Sequence, residues 1–217
     1  ANMPVDVQKD EKKGLYYVQK EKKRLYFRKS TPAKKIQKYY RALSMEQDRR
    51  SPHHYFNSVK EVTGKVFVDV GCAEGYSSLE IIEEAKHVYL FEQDEQWLEA
   101  IRATFEPWQD KVTIVQKYVN DHNSSREQTL DDFFNNQTNE HLFLKMDIEG
   151  AERHALAGCN NLFQNCQKLD FAICTYHLRD DEEVISAFLD KHNCTYINQK
   201  GFFRHKIRSV VMRGSKK

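Results

Sequence analysis

Asp69, Gly71, Cys72, Glu74 and Gly75 follow directly on the apolar run Val66-Phe67-Val68. A strand that runs into spaced glycines makes a loop on which a ligand can approach the backbone, because glycine carries no Cβ. The spacing Asp69-x-Gly71-x-x-x-Gly75 matches neither the G-x-G-x-x-G of a dinucleotide-binding turn nor a P-loop ending in Gly-Lys-Ser/Thr. Two carboxylates, Asp69 and Glu74, repel a pyrophosphate and suit a cationic ligand without phosphate. S-adenosylmethionine (SAM), which carries an ammonium and a sulfonium, has that chemistry. The expected cofactor contacts here are Asp69, Gly71, Cys72, Glu74 and Gly75, with Tyr76 and Ser77 where the next helix begins. A nicotinamide-dependent oxidoreductase fails at the same loop, since the third glycine is missing.

These residues need a scaffold that brings strand ends together. From residue 65 onward, apolar runs alternate with helical patterns. Strands are predicted at 66–70, 87–91, 112–116, 142–146, 169–175, 194–198 and 208–213, with helices at about 76–85, 94–105, 129–136, 151–163 and 181–191. Such alternation predicts an α/β fold with a doubly wound, mostly parallel seven-stranded sheet. The last two strands are close in sequence and suit an antiparallel pair at one edge. In open sheets of this kind, ligands bind beyond the carboxyl ends of the strands. The residues expected there are Asp69 and Gly71, Glu92 with Gln93, Asn120 and Asp121, Asp147 and Glu149, and His177. Glu92 lies 21 residues beyond Gly71, where an acid on the second strand accepts hydrogen bonds from ribose hydroxyls. Gln93 and Asn120 are further expected cofactor contacts.

Upstream, Leu15–Gln19 and Leu25–Lys29 alternate apolar with polar and predict a β-hairpin around Lys20–Arg24. Thr31-Pro32 predicts an N-cap with proline at the first helical position. Ile36, Tyr39, Tyr40 and Leu43 then make one stripe of an amphipathic helix. Ser51-Pro52 ends it, and a short helix is predicted from His53 to Thr63. Residues 1–41 hold 13 basic and 4 acidic residues, a surplus of nine positive charges, although the whole chain carries only +2. That asymmetry divides the chain into a basic hairpin-and-helix appendage at 1–50 and a main domain at 51–217. Ala1-Asn2, ahead of Met3, reads as an expression scar.

The chain has 217 residues, enough for one substantial core. It lacks an apolar run of about 18 residues and an apolar N-terminal leader, so a membrane span, a membrane partner and a secretory signal are not expected. Its five cysteines, Cys72, Cys159, Cys166, Cys174 and Cys194, show no C-x-x-C pairing and read as reduced thiols of a cytoplasmic protein.

In these motifs the chain from about 51 to 200 resembles the FkbM-type SAM-dependent methyltransferases. The resemblance rests on Val68-Asp69-Val70-Gly71 with Gly75, Phe91-Glu92, Thr129-Leu130-Asp131-Asp132-Phe133, and above all Lys145-Met146-Asp147-Ile148-Glu149-Gly150-Ala151-Glu152. It implies a class I, Rossmann-like fold and, for the most part, O-methylation of sugars or natural products. The implied mechanism is direct displacement, with a hydroxyl in line with the C–S bond and a base to take its proton. Asp147 is the expected residue near both sulfonium and acceptor, and is therefore also a cofactor contact. His177 is the expected base, against the alternative of a packed histidine. Glu149 is either a second base or the cap of the helix that follows. Asp147, Glu149 and His177 could also hold a divalent cation, a secondary reading under which no residue is assigned as a metal ligand. His53 and His54 could line the substrate mouth. The expected partner is a small-molecule or glycan acceptor. The alternatives are an RNA methyltransferase that uses the basic segment and its tyrosines, and a non-catalytic SAM-fold scaffold.

Overall fold

The structure, a computed structural model, describes residues 4–135, 140–203 and 206–216. The expectations that touch Ala1–Met3, Asn136 and Lys217 lie outside these residues.

The basic segment begins with a three-stranded antiparallel sheet of β1 (Val7–Asp10), β2 (Leu15–Lys20) and β3 (Lys23–Tyr26). The predicted hairpin is β2–β3, but its turn is shorter than the expected Lys20–Arg24 and its second strand starts at Lys23 and ends at Tyr26, because Lys20 pairs with Lys23 around Glu21 at φ 54°. β1 was not predicted, because Val7-Gln8-Lys9-Asp10 has no apolar alternation. It is held by its pairing with β2, from Val7 opposite Val18 to Asp10 opposite Leu15. Helix α1 (Ala33–Glu46) follows. Pro32, not Thr31, occupies its N-cap position, and no side chain caps it. Ile36 and Tyr40 bury against the core. The predicted helix over 53–63 is only a 3-10 turn at Val59–Val62. Before that turn His54 is tied down, its ring contacting the Ser51 carbonyl, Asn57 and Arg213, which holds the chain in an irregular path.

The predicted seven-stranded sheet is present. Its strands are β4 (Val66–Val70), β5 (His87–Phe91), β6 (Val112–Val115), β9 (His141–Met146), β10 (Lys168–Cys174), β11 (Thr195–Phe203) and β12 (Lys206–Lys216), in the order β11-β12-β10-β9-β4-β5-β6. β4, β5, β6, β9 and β10 run parallel, while β12 is antiparallel to both β10 and β11. All five residues of β4 are buried, as a strand covered on both faces requires. From β4 the chain winds outward through β5 and β6, then returns to lay β9 on the other side of β4. The crevice at that reversal is where such sheets bind ligands. A short parallel pair, β7 (Tyr118–Val119) with β8 (Glu127–Gln128), follows β6.

Helix α2 (Tyr76–Ile81) is shorter than predicted, and α3 (Glu95–Phe105) is capped by Asp94. Thr129 caps α4 (Leu130–Phe133). The single helix predicted over 151–163 is divided into α5 (Glu152–Ala157) and α6 (Asn160–Asn165). Gly158 lies at the break, where a Cβ would stand 2.2 Å from the Asn120 carbonyl oxygen, so the chain passes too closely for a continuous helix bearing side chains. Helix α7 is Asp181–Lys191.

Packing runs across the boundary that composition drew at residue 50. Leu15, Leu25, Phe27 and Ile36 share one apolar cluster with Phe67, Leu79, Val88 and Ile101 on one face of the sheet. The backbone N–H of Tyr26 donates to Thr104 on α3 at 3.0 Å, and Lys23 donates to the Leu79 carbonyl at 2.8 Å. The opposite face is covered by α5, α6 and α7 through Leu156, Phe163, Ile185 and Leu189. Among the described residues no helix is long and apolar enough to cross a membrane.

Candidate functional site

A cavity of about 560 Å³ opens over the carboxyl ends of β4, β5 and β9. Its floor is the loop after β4. Gly71 has φ 79°, and a Cβ there would lie 2.1 Å from the Asp147 carbonyl oxygen, so the β4 and β9 loops pass closer than any side chain allows. Gly75 has φ 81° and abuts the Phe105 ring.

Asp69 lines the floor of the cavity, with its carboxylate held by protein partners. It is 1% exposed, ion-paired to Lys145 at 2.8 Å and bonded by the Ser78 hydroxyl at 2.5 Å. Lys145 also donates to the Gly71 carbonyl at 2.6 Å. Burial opposes the lysine charge, but Asp69 and Asp147 more than offset it and hold the ammonium above its usual pKa. The pair therefore locks the loop to β9. A lone sequence reading of Asp69 as a contact missed this partner, although the register of Asp69 opposite Lys145 is what parallel pairing of β4 and β9 produces.

Glu92 ends β5 inside the cavity. One oxygen accepts from the Ala73 N–H at 3.0 Å and the other from the Asp94 N–H at 2.8 Å, which fixes the carboxylate with lone pairs to spare. Burial raises its pKa, against the pull of those two N–H groups. Glu74 is 3% exposed, and burial pushes its carboxyl up to about 7 while a hydrogen bond from the Tyr39 hydroxyl at 2.8 Å works the other way. Burial likewise pushes the Cys72 thiol up, so it is not a nucleophile. Cys72, Tyr76, Ser77 and Gln93 line the cavity as expected positions. Asn120 does not: its amide donates to Glu127 at 2.7 Å on the β7–β8 pair, and the cavity is lined there by Lys117, Tyr118 and Val119 instead.

At the β9 end, Asp147 accepts from the Tyr55 hydroxyl at 2.7 Å through Oδ2. Its Oδ1 faces the Tyr176 hydroxyl at 3.5 Å and His177 Nε2 at 3.5 Å. His177 Nε2 is also 3.5 Å from Glu149, and Nδ1 is 2.9 Å from Glu152. Burial lowers the His177 pKa, but Glu152, Asp147 and Glu149 together raise it above its usual value. Asp147, Glu149 and His177 are thus brought together as the sequence suggested. Glu149 does not cap the following helix: it stands at φ 56° with a side chain 92% exposed. No side chain caps that helix, and Glu152 at its first position instead ties down the loop before it, accepting from the N–H groups of Ile148 at 2.8 Å and Gly150 at 3.0 Å. His54 is locked in its network away from the cavity, while His53 packs its ring on Tyr176 at 5.2 Å.

Sequence reasoning missed the upper wall. Arg28, Tyr39, Leu43, Glu46 and Gln47, all from the basic segment and α1, line the same cavity. Tyr39 stacks near Trp97 at 6.3 Å, and the Arg28 guanidinium lies 4.2 Å from that ring. The only signal for this was Tyr39 and Leu43 on the amphipathic stripe, which did not say what they would meet.

A methyltransferase FkbM domain model matches residues 70–197, more than half of the chain. The chain belongs to the FkbM methyltransferase family. Among solved structures it is similar to a methyltransferase FkbM from Methylobacillus flagellatus KT, with TM-score 0.56 and 19% identity over 70% of this chain and 43% of that one. This chain thus spans less than half of the Methylobacillus protein. It is also similar to a magnesium protoporphyrin IX methyltransferase from Synechocystis PCC 6803 with bound SAM, with TM-score 0.53 and 12% identity over 87% and 86% of the two chains. A third similar structure is a protein from Streptococcus mutans described as a methyltransferase and holding SAH, with TM-score 0.53 and 15% identity over 73% and 93%. These likenesses show the class I methyltransferase-like α/β fold. No curated protein matches the sequence.

Proposed function

We propose that this FkbM-family chain is a SAM-dependent O-methyltransferase acting on a hydroxyl of a sugar, glycan or natural-product-like acceptor. The observation that carries the reading is that one cavity is lined both by Gly71, Cys72, Glu74 and Tyr76 with Glu92 and by Asp147 with Tyr55 and Tyr176, while His177 stands behind Asp147 at 3.5 Å. A nucleoside cofactor and an acceptor can therefore meet in it. When bound, the cofactor supplies an electrophilic methyl carbon on a sulfonium.

The chain's own residues supply the rest. Glu92, held by two backbone N–H groups, presents acceptor lone pairs for ribose hydroxyls. Asp147 lines the same cavity with negative charge for a cationic ligand, and Glu74, raised to about 7, adds to it as it ionises. Asp147 Oδ1, left without a close hydrogen bond while Oδ2 is held by Tyr55, is positioned to take a hydrogen bond from an acceptor hydroxyl. Asp147 would take the acceptor's hydroxyl proton when the bound cofactor supplies its methyl carbon, with His177 3.5 Å away to share the charge. The aromatic faces of Tyr55 and Tyr176, set among Glu46, Asp147 and Glu149, suit a polyhydroxylated compound, which offers both C–H faces and hydroxyl donors.

RNA is the lesser reading. It is supported by Lys34, Lys35 and Lys38 on the exposed face of α1, and opposed by the carboxylates where a phosphate backbone would have to pass. The deciding experiment pairs SAM calorimetry with methyl transfer from labelled SAM to panels of glycans, small hydroxylated compounds and RNA. Absence of SAM binding sinks the enzyme reading, and label confined to RNA sinks the acceptor class.

A further inference from the structure

We propose that Asp147, Glu149 and His177 bind a divalent cation of the Mn²⁺ or Zn²⁺ type at the acceptor end of the cavity, with Glu152 as the residue that positions the histidine. Its role in the reaction rests on the transferase reading above. Its existence does not.

The first observation is charge. Three carboxylates converge on one imidazole: Glu152 at 2.9 Å, Asp147 at 3.5 Å and Glu149 at 3.5 Å. Glu152 is fully buried, and Glu46 faces the same end of the cavity. Lys145 is buried beside Asp147 but is paired with Asp69, so it offsets only part of this charge. One imidazole cannot balance that much negative charge in a partly desolvated place, so the arrangement calls for a further cation.

The second observation is independent of charge. The His177 side chain is only 9% exposed, yet neither ring nitrogen has a well-directed hydrogen-bond partner among the described residues. A buried imidazole whose carboxylate neighbours are poorly directed for hydrogen bonds is costly unless it has a ligand to hold. The separations are those of a ligand set. At 3.5 Å, Asp147 Oδ1 and Glu149 are too far from Nε2 for good hydrogen bonds. Nitrogen and oxygen ligands about 2.0–2.2 Å from a common ion lie roughly 3–3.5 Å from one another. Asp147, Glu152 and His177 each bring a ligand atom within 4.8 Å of the others.

The supports differ in the way a metal site needs. Asp147 is fixed through Oδ2 by Tyr55, which leaves Oδ1 for the ion. Glu152 is anchored by the Ile148 and Gly150 N–H groups, so it is a rigid partner for Nδ1. A small rotation of the ring turns that contact into an Nδ1–H hydrogen bond and leaves the Nε2 lone pair for the metal, the usual carboxylate–histidine–metal arrangement. Glu149 sits beside Gly150 in an exposed loop and can swing onto the ion. One imidazole with two carboxylates suits Mn²⁺ or Zn²⁺ better than Ca²⁺ or Mg²⁺, which prefer all-oxygen shells. An ammonium group on the acceptor could also offset the charge, but it would not use the Nε2 lone pair. The remaining coordination positions open into the cavity, where an acceptor hydroxyl bound to the ion would lose its proton more readily, to solvent rather than to Asp147 Oδ1, which the ion then holds.

The test is a Mn²⁺ titration of chelator-treated, SAM-free protein, following the loss of the free-ion electron paramagnetic resonance signal. One ion per chain is expected. His177→Ala and Asp147→Asn should abolish binding, and Glu152→Gln should weaken it by about 10–100-fold. Thermal melts of each variant check folding. Should the buried variants fail to fold, Glu149→Gln, at an exposed side chain, should still weaken Mn²⁺ binding without lowering the melting temperature. Failure of wild-type protein to bind Mn²⁺ or Zn²⁺, affinity unchanged in both His177→Ala and Glu149→Gln, or binding of amine-bearing sugars but not of metal would each overturn the proposal. SAM calorimetry on the same samples reports separately on the transferase reading.

Discussion

Gly71 offers a test in which the structure separates two energetic terms. Replacing Gly71 by alanine forces a side chain onto a backbone at φ 79°, which costs roughly 1–2 kcal/mol in the left-handed region. It also drives a Cβ to 2.1 Å from the Asp147 carbonyl oxygen and 2.6 Å from Ile148 Cγ2. Backbone and a branched side chain cannot both withdraw cheaply, and overpacking of this kind adds about 1–3 kcal/mol. The expected loss is therefore about 2–5 kcal/mol. Gly14 is the matched control, since it has φ 66° but nothing within 4 Å of where a Cβ would stand, so Gly14→Ala should cost only the backbone share. Urea unfolding of both variants measures the difference, and SAM calorimetry should show binding lost in Gly71→Ala and kept in Gly14→Ala. Equal destabilisation of the two would refute the claim that the loops after β4 and β9 meet too closely for a side chain.

Glu92→Ala should weaken SAM binding by about 10–100-fold, the equivalent of about 1.5–3 kcal/mol for a carboxylate accepting from hydroxyls, while His177→Ala should leave SAM affinity near wild type and lower turnover; calorimetry and labelled transfer check the split. Glu74 has a folded pKa raised from 4.5 to about 7, so the native state binds more protons than the unfolded state between those values. Stability should fall as pH rises through that window, by about 3 kcal/mol in total, and level off above it. Glu74→Gln should flatten that slope in urea melts taken from pH 4 to 8, and a slope that persists unchanged would assign it to other groups. Glu152→Ala leaves the Ile148 and Gly150 N–H groups without their buried acceptor and should destabilise the fold by about 2–4 kcal/mol by the same measurement.

The parts of the fold that sequence made legible were those set by local pattern. β4 and β5 fall at their predicted residues because short apolar runs of five residues between turn signals favour strands, fully buried in β4 and half-buried at His87 and Tyr89 in β5. The single helix predicted over 151–163 failed because nothing local announces that Gly158 must pass the Asn120 carbonyl. β1 was illegible for a similar reason, as its polar residues form a strand only because β2 offers them a partner.

The same division holds at the site. Chain order alone determined the sheet-end placement of Gly71, Glu92, Asp147 and His177, because strand periodicity and glycine-bearing turns are short-range properties carried by the residues themselves. Tertiary structure decided what each one touches. It turned Asp69 inward to Lys145, made Glu152 rather than Glu149 the anchor of the loop after β9, closed the cavity with Tyr39 and Glu46 from α1, and set three carboxylates around His177. Those outcomes depend on contacts between residues far apart in the chain, and the energy of such a contact exists only once the intervening elements have packed.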